Sequence, residues 1–203
     1  WLRLAAVLGV GLLLLVAVVV AFNLGRGKTA LGTDPTDEGD SPSATPSSST
    51  AAPSEPLGGL VADDFDPQGD TQEENGEDAP ATVDGNPATS WSTSAYDQQL
   101  GPGGLKTGVG ITIDLNGEHT VSSVDLELVG SPTDVSLYLT DDPPAGVREL
   151  EPAVSGTASG ETLSLDLPAE STGRFLVVWL TSLPQEDDGR FRGTIAEVTV
   201  RGE

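Results

Sequence analysis

Hydrophobic positions fall along this chain in two textures. From Leu4 to Phe22 the run LAAVLGVGLLLLVAVVVAF carries no charge. As a helix it would extend about 28 Å, close to the thickness of a bilayer's hydrocarbon core. From Phe65 onward the apolar positions come instead in short runs with near period-two alternation, separated by turn residues. Three such runs are GVGITIDL (Gly108–Leu115), HTVSSVDLELV (His119–Val129) and TDVSLYLT (Thr133–Thr140). Three more are ETLSLDL (Glu161–Leu167), RFLVVWLTSL (Arg174–Leu183) and GTIAEVTVR (Gly193–Arg201). All have strand length and β-branched enrichment. RFLVVWL is apolar on both faces, which predicts a central strand covered on each side. The Asn-Gly of LNGEH reads as a hairpin turn, and DDPPAG and QEDDGR read as loops. No long amphipathic helical period occurs. The pattern predicts an all-β sandwich.

The Leu4–Phe22 run is too long for the apolar core of a signal peptide, and AFNLG after it offers no small-x-small cleavage site. It reads as a transmembrane helix. The segment Thr29–Asp64 that follows is rich in Ser, Thr, Pro and acidic residues and has no Lys or Arg. Such a segment cannot bury a core and reads as a solvated, disordered stalk. The expected organisation is therefore a membrane helix in 1–23, a linker in 24–64 and a β-sandwich in 65–203. The local charges, Arg3 against Arg26 and Lys28, favour a cytoplasmic C-terminal side. The mucin-like stalk argues the other way and decides the expectation: a single-pass cell-membrane protein with its C-terminal domain extracytoplasmic. The chain opens on Trp1 rather than Met, which reads as the C-terminal part of a longer protein.

Charge removes one class of partner. With 32 acidic and 9 basic residues the net charge is -23, whereas nucleic acid requires a basic surface. The absence of cysteine removes disulfides, zinc-thiolate sites and thiol nucleophiles. His119, the single histidine, follows the Asn-Gly turn, and no GxSxG elbow accompanies it. No carboxylate pair stands in an apolar setting that would raise a pKa for glycoside hydrolysis. The chain reads as non-catalytic.

One stretch resists a plain loop reading. VDGNPATSWSTSAY (Val83–Tyr96) sets a tight polar turn directly before a tryptophan. It resembles the Asp-Gly-Asp/Asn-x-x-Thr-x-Trp signature of discoidin-type domains, the coagulation factor 5/8 type C, galactose-binding-like jelly rolls. The closing IAEVTVRG is similar to their last strand, and the resemblance covers about Phe65 to Glu203. More narrowly, FDPQGDTQEENGEDAPATVDGNPATSWSTSAY followed by GGLKTGVGITIDL resembles the exterior C-terminal domain of actinobacterial membrane proteins. In those a protein-kinase-like domain precedes a span and a linker, and some are fused to a MviN-type lipid II flippase. The resemblance thus implies a discoidin-like jelly roll, with kinase-like cytoplasmic sequence upstream.

On the residues alone, Asp84, Gly85 and Pro87 make a sharp turn whose carbonyls converge, open either to an Asx-turn or to a hard cation. The resemblance implies a structural Ca²⁺ held by Asp84, Asn86, Thr89 and Glu197, with Trp91 packing the loop onto the sandwich. Asp66, Asp70 and Glu73 lack a calcium-loop pattern and read as a solvated acidic loop. Related modules bind sugar through loops at one end of the sandwich. The aromatic and cationic residues in expected loops here are Tyr96, Lys106, Arg148, Arg190 and Arg192, and Trp179 reads as core. Two functions remain: a module that recognises a cell-wall glycan or lipid-linked precursor, or a protein-interaction or spacer ectodomain that has lost the sugar site.

Overall fold

A computed structural model describes residues 54–203. The expected membrane helix 4–22 and most of the expected linker lie outside the described residues. Among the described residues no helix is long and apolar enough to cross a membrane.

Eight strands and one 3-10 helix follow in chain order. They are β1 (Val61–Phe65), the 3-10 helix (Gly76–Val83), β2 (Trp91–Ser92) and β3 (Val109–Val129), then β4 (Thr133–Thr140), β5 (Val154–Ala158), β6 (Thr162–Asp166), β7 (Thr172–Ser182) and β8 (Thr194–Gly202). Every strand pairing is antiparallel. The long β3 belongs to both layers of the sandwich. Its first half, from Val109 to Asp114, pairs with β1 on one side and β7 on the other, and β4 and β5 follow beyond β7. Its second half, from Val121 to Val129, pairs with β8 and β6, and β2 lies beyond β8.

This sharing corrects the expected hairpin at LNGEH. Asn116 does take a left-handed φ of 63°, as Asn tolerates. The chain nevertheless stays extended through the turn residues, and the register against β7 shifts between Asp114 and His119. The irregularity behaves as a β-bulge that redirects one strand from sheet to sheet. Each half buries its own alternating apolar set, so a reversal would strip one half of its partners.

Between the layers, Ile111, Ile113, Leu176 and Val178 meet Val124, Leu126, Ile195 and Val198 in one core. The double-sided pattern of RFLVVWL is explained by β7. Leu176, Val178 and Leu180 face that core, while Val177 and Trp179 face a second cluster with Phe65, Tyr138 and Val147. There Phe65 meets Trp179 edge-on, at 5.6 Å between ring centroids, a geometry worth about 0.5–1.5 kcal/mol beyond its buried area. The strand is central and covered on both sides.

The domain also begins earlier than the expected boundary at Phe65. Pro56 bridges to Arg201, the amide of Leu57 donates to the carbonyl of Val200, and β1 occupies the end of the expected linker. Its sequence VADDF carries two aspartates, which disguise it as stalk. Ala62 and Phe65 nonetheless point into the cores.

Candidate functional site

Two loop systems carry the residues singled out in the sequence. The first sits where β1 ends and β3 begins. Pairing of Phe65 with Gly110 places Asp66, just past β1, beside Lys106, just before β3. Glu74 arrives from the turn ahead of the 3-10 helix, where the carboxylate of Asp64 accepts its amide N–H. Tyr96 follows β2, and its backbone exchanges two hydrogen bonds of 2.8 Å with Phe191. The four side chains then converge. Lys106 Nζ lies 2.5 Å from Asp66 Oδ2, 3.4 Å from Glu74 Oε2 and 3.2 Å from the Tyr96 hydroxyl. The Tyr96 hydroxyl donates to Glu74 Oε1 at 2.7 Å, and the Ser94 amide donates to the same oxygen.

The expectation that Lys106 is an exposed, ligand-facing cation is thereby corrected: it is only 8% exposed. Two carboxylates delivered by the strand end and the pre-helix turn compensate the cost of burying its ammonium. Asp66 departs from the solvated acidic reading for the same reason, while Asp70 and Glu73 are exposed as that reading requires. Burial raises the Glu74 carboxyl, but the Ser94 amide, the Tyr96 hydroxyl and the Lys106 charge outweigh it and hold it below its ordinary range. Burial first, then the hydrogen bond to Glu74, drives the Tyr96 phenol far above its usual range.

The cluster floors an open cleft of about 310 Å³ whose rim includes Gln68, Asp70, Thr71, Glu73 and Leu105. A second cleft of about 420 Å³ shares Tyr96 and Leu105 and continues along Asp97, Gln98 and Gly103. Leu105 stands 83% exposed between them. Asp66 Oδ1, a floor atom, is buried and has no hydrogen-bond partner.

Of the other expected ligand residues, Arg190 and Arg192 reach the same end, on the loop tied to Tyr96 through Phe191. Arg190 is engaged with Asp188 at 2.7 Å, whereas Arg192 lies within 3.4 Å of Glu186 with its buried Nε left without a hydrogen-bond partner. Arg148 is not brought to this cluster. It lines a separate depression with Thr140, Asp142, Glu149 and Leu150. Asp66 reads as solvated in the sequence, and Glu74 is not singled out there at all. The signal for Asp66 was its place at a strand end ahead of a Pro-x-Gly turn, whereas Glu74 carries no local signal.

The second loop system is the turn after the 3-10 helix. Asp84 Oδ1 accepts the Asn86 amide at 2.8 Å, and its other oxygen accepts the Thr89 hydroxyl at 2.9 Å. This is an Asx-turn. Glu197, on β8, closes on the same loop. Burial raises its carboxyl, the neighbouring charge of Asp84 adds to this, and the amides of Gly85, Asn86 and Val198 oppose it. Its Oε2 is buried without a partner. The raised Glu197 carboxyl with its orphaned oxygen, set beside the Asp84 carboxylate and amide and hydroxyl oxygens, forms a donor set that fits a hard cation such as Ca²⁺. Among the described residues no group of three or more His, Cys, Asp or Glu could hold a metal, so such an ion would rely on Asn86, Thr89 and backbone oxygens as well. Trp91 anchors this loop: it is fully buried, and its Nε1 donates to the carbonyl of Glu74 at 2.7 Å. The indole therefore joins the two loop systems.

No family model matches the sequence. Among solved structures, CpGH89CBM32-6 produced by Clostridium perfringens is similar at 19% identity and a TM-score of 0.50, over 71% of this chain and 94% of that one. The family 32 carbohydrate-binding module of C. perfringens NanJ, in complex with galactose, is 17% identical over 70% of this chain and 92% of its own, with a TM-score of 0.48. The family 89 glycoside hydrolase of the same organism is matched over 72% of this chain but only 14% of its own length, at 14% identity and a TM-score of 0.49. The fold is the discoidin-like β-sandwich expected from the Asp-Gly-Asn-Pro…Trp stretch.

Proposed function

We propose that residues 54–203 form a non-catalytic carbohydrate-binding module. The observation that carries this reading is the paired cleft at the β1–β3 end, where buried Asp66 and Glu74 lie beside the phenol of Tyr96 and the exposed Leu105. Carboxylate acceptors flanked by an apolar face suit a sugar, which presents hydroxyls at its edge and C–H groups on its faces. The sequence of 1–64 adds the finer proposal that the module is held outside the cell membrane by a single span and a stalk, where a cell-wall glycan or lipid-linked precursor is its ligand. A cytoplasmic kinase-like part upstream is inferred from the resemblance of Phe65–Leu115 alone. We further propose that Asp84, Asn86, Thr89 and Glu197 hold a structural Ca²⁺, which would remove the repulsion between Asp84 and Glu197.

The test is a glycan array probed with the full chain, alongside Tyr96→Ala and Leu105→Ala. Saturable binding to a glycan class that weakens at least about tenfold in both variants is expected. Binding unchanged in both variants places the site elsewhere. Absence of binding to a broad panel favours the second reading, a protein-interaction or spacer ectodomain. One observation recommends that alternative: Lys106 and Arg190 are occupied by acidic neighbours of their own. Location has its own check: protease added to intact cells should remove the module, and protection with an otherwise accessible surface would reverse the topology.

A further inference from the structure

Most hydrogen-bond donors of the cleft are already engaged, which narrows what it can hold. An ammonium has three N–H donors. Those of Lys106 are directed at Asp66 Oδ2, Glu74 Oε2 and the Tyr96 hydroxyl. The single phenolic hydrogen of Tyr96 goes to Glu74 Oε1, and one of the two N–H donors of the Gln68 side-chain amide on the rim goes to Thr107. The hydroxyls of Thr71 and Ser94 can act in either sense. The capacity left over is acceptor capacity: Asp66 Oδ1 has no partner, and the exposed rim adds Asp70 and Glu73. Four carboxylates thus face one ammonium around this cleft, while Asp97 in the adjoining one lies within the field of the Arg190 guanidinium. The chain as a whole carries a net charge of -23, so the surrounding field has the same sign.

We propose that this cleft selects donor-rich, amine-bearing sugars, of which a free 2-amino-2-deoxyhexose is the simplest, and rejects uronate- and phosphate-bearing glycans. The inference rests on the carbohydrate-binding reading. An anionic sugar group would meet mainly acceptors and would be repelled by the rim, whereas a sugar ammonium supplies donors and charge together. Leu105 and the Tyr96 ring offer apolar surface to the ring face, and the carboxylates determine which substituents are accepted.

The experiment is calorimetric titration of the full chain with three oligosaccharide sets of matched length. These are β-1,4-linked glucosamine, the same backbone fully N-acetylated, and an oligouronate. Glucosamine oligomers should bind at least about tenfold more tightly than their N-acetylated counterparts. That advantage should shrink as salt rises from 50 to 500 mM, a range set to span strong to weak screening as the Debye length falls from roughly 14 to 4 Å. Asp70→Asn with Glu73→Gln, two exposed positions, should reduce the advantage without loss of folding, read by near-UV circular dichroism. Asp66→Asn should reduce it further. Equal affinity for the amine and N-acetyl forms, or tighter binding of the uronate, overturns the charge selection and leaves carbohydrate binding standing. Failure of all three sets, together with a silent glycan array, overturns both. A preference for glucosamine that survives the rim double variant and Asp66→Asn unchanged places amine recognition elsewhere and also overturns the proposal.

Discussion

At the residue scale, Lys106 and Trp91 show how a side chain's role depends on what the fold delivers to it. Lys106 sits in a glycine-rich, polar stretch that reads as exposed, and nothing local reveals the two carboxylates brought from Asp66 and Glu74, 40 and 32 residues away in sequence. Removing the ammonium strands both carboxylates in a buried setting, so Lys106→Met should cost about 3–5 kcal/mol. Urea denaturation measures this, and a loss below about 1 kcal/mol would show that water already relieves the pair. Trp91 was legible, because an indole directly after a tight Asp-Gly-Asn-Pro turn has few uses other than packing that turn. Its full burial and its bond to the Glu74 carbonyl lead to an expected cost of about 3–5 kcal/mol for Trp91→Ala. Trp91→Phe, which keeps most of the packing and loses the N–H, should cost less.

At the scale of elements, strands that alternate cleanly were legible and strands defined by their partners were not. TDVSLYLT coincides with β4 as a period-two run with one face in the core. In contrast, β5 reads VSGTA and buries little, β2 is two residues long, and β1 carries paired aspartates. These three are strands because β4, β8 and β3 lie beside them. The Asn-Gly of LNGEH was misread because turn chemistry and bulge chemistry share the same residues, and only the pairing of each half of β3 separates them. Close approach is most demanding at Gly110, between β1 and β7, where an added Cβ would lie 1.9 Å from the carbonyl oxygen of Val178. That oxygen is backbone in a central ladder and cannot yield cheaply. Gly110→Ala should therefore lower the urea midpoint more than Gly160→Ala, which meets nothing within 4 Å. Equal midpoints for the two variants would show that the strands separate there at little cost.

At the scale of the whole molecule, excess negative charge and one closing carboxylate link pH, metal and stability. Glu197 fastens the Asp84 loop to β8, and its carboxyl is raised from an ordinary value of 4.5 by burial and by the charge of Asp84. A folded state that holds this proton more tightly than the unfolded chain loses stability as pH rises from about 4.5 through the raised value. Glu74, held low, acts in the opposite sense, with a contribution present above 4.5 and lost as pH falls through its folded value. Glu197→Gln isolates the first effect. In chelator, the variant should lack the decline in melting temperature that the parent chain shows on leaving pH 4.5, and above that window it should melt higher than the parent. Ca²⁺ should reverse the order. A ligand that binds only the folded state adds RT ln(1 + [L]/Kd), about 2.7 kcal/mol at a hundredfold excess over Kd, and it would stabilise the parent while leaving Glu197→Gln and Asp84→Ala nearly unmoved. The variants also control for loose Ca²⁺ binding by the acidic residues of 24–64, which they retain. Melting of the parent that ignores both Ca²⁺ and chelator would reduce the loop to its Asx-turn. Trp91 would then be the anchor that remains between this loop and the sandwich.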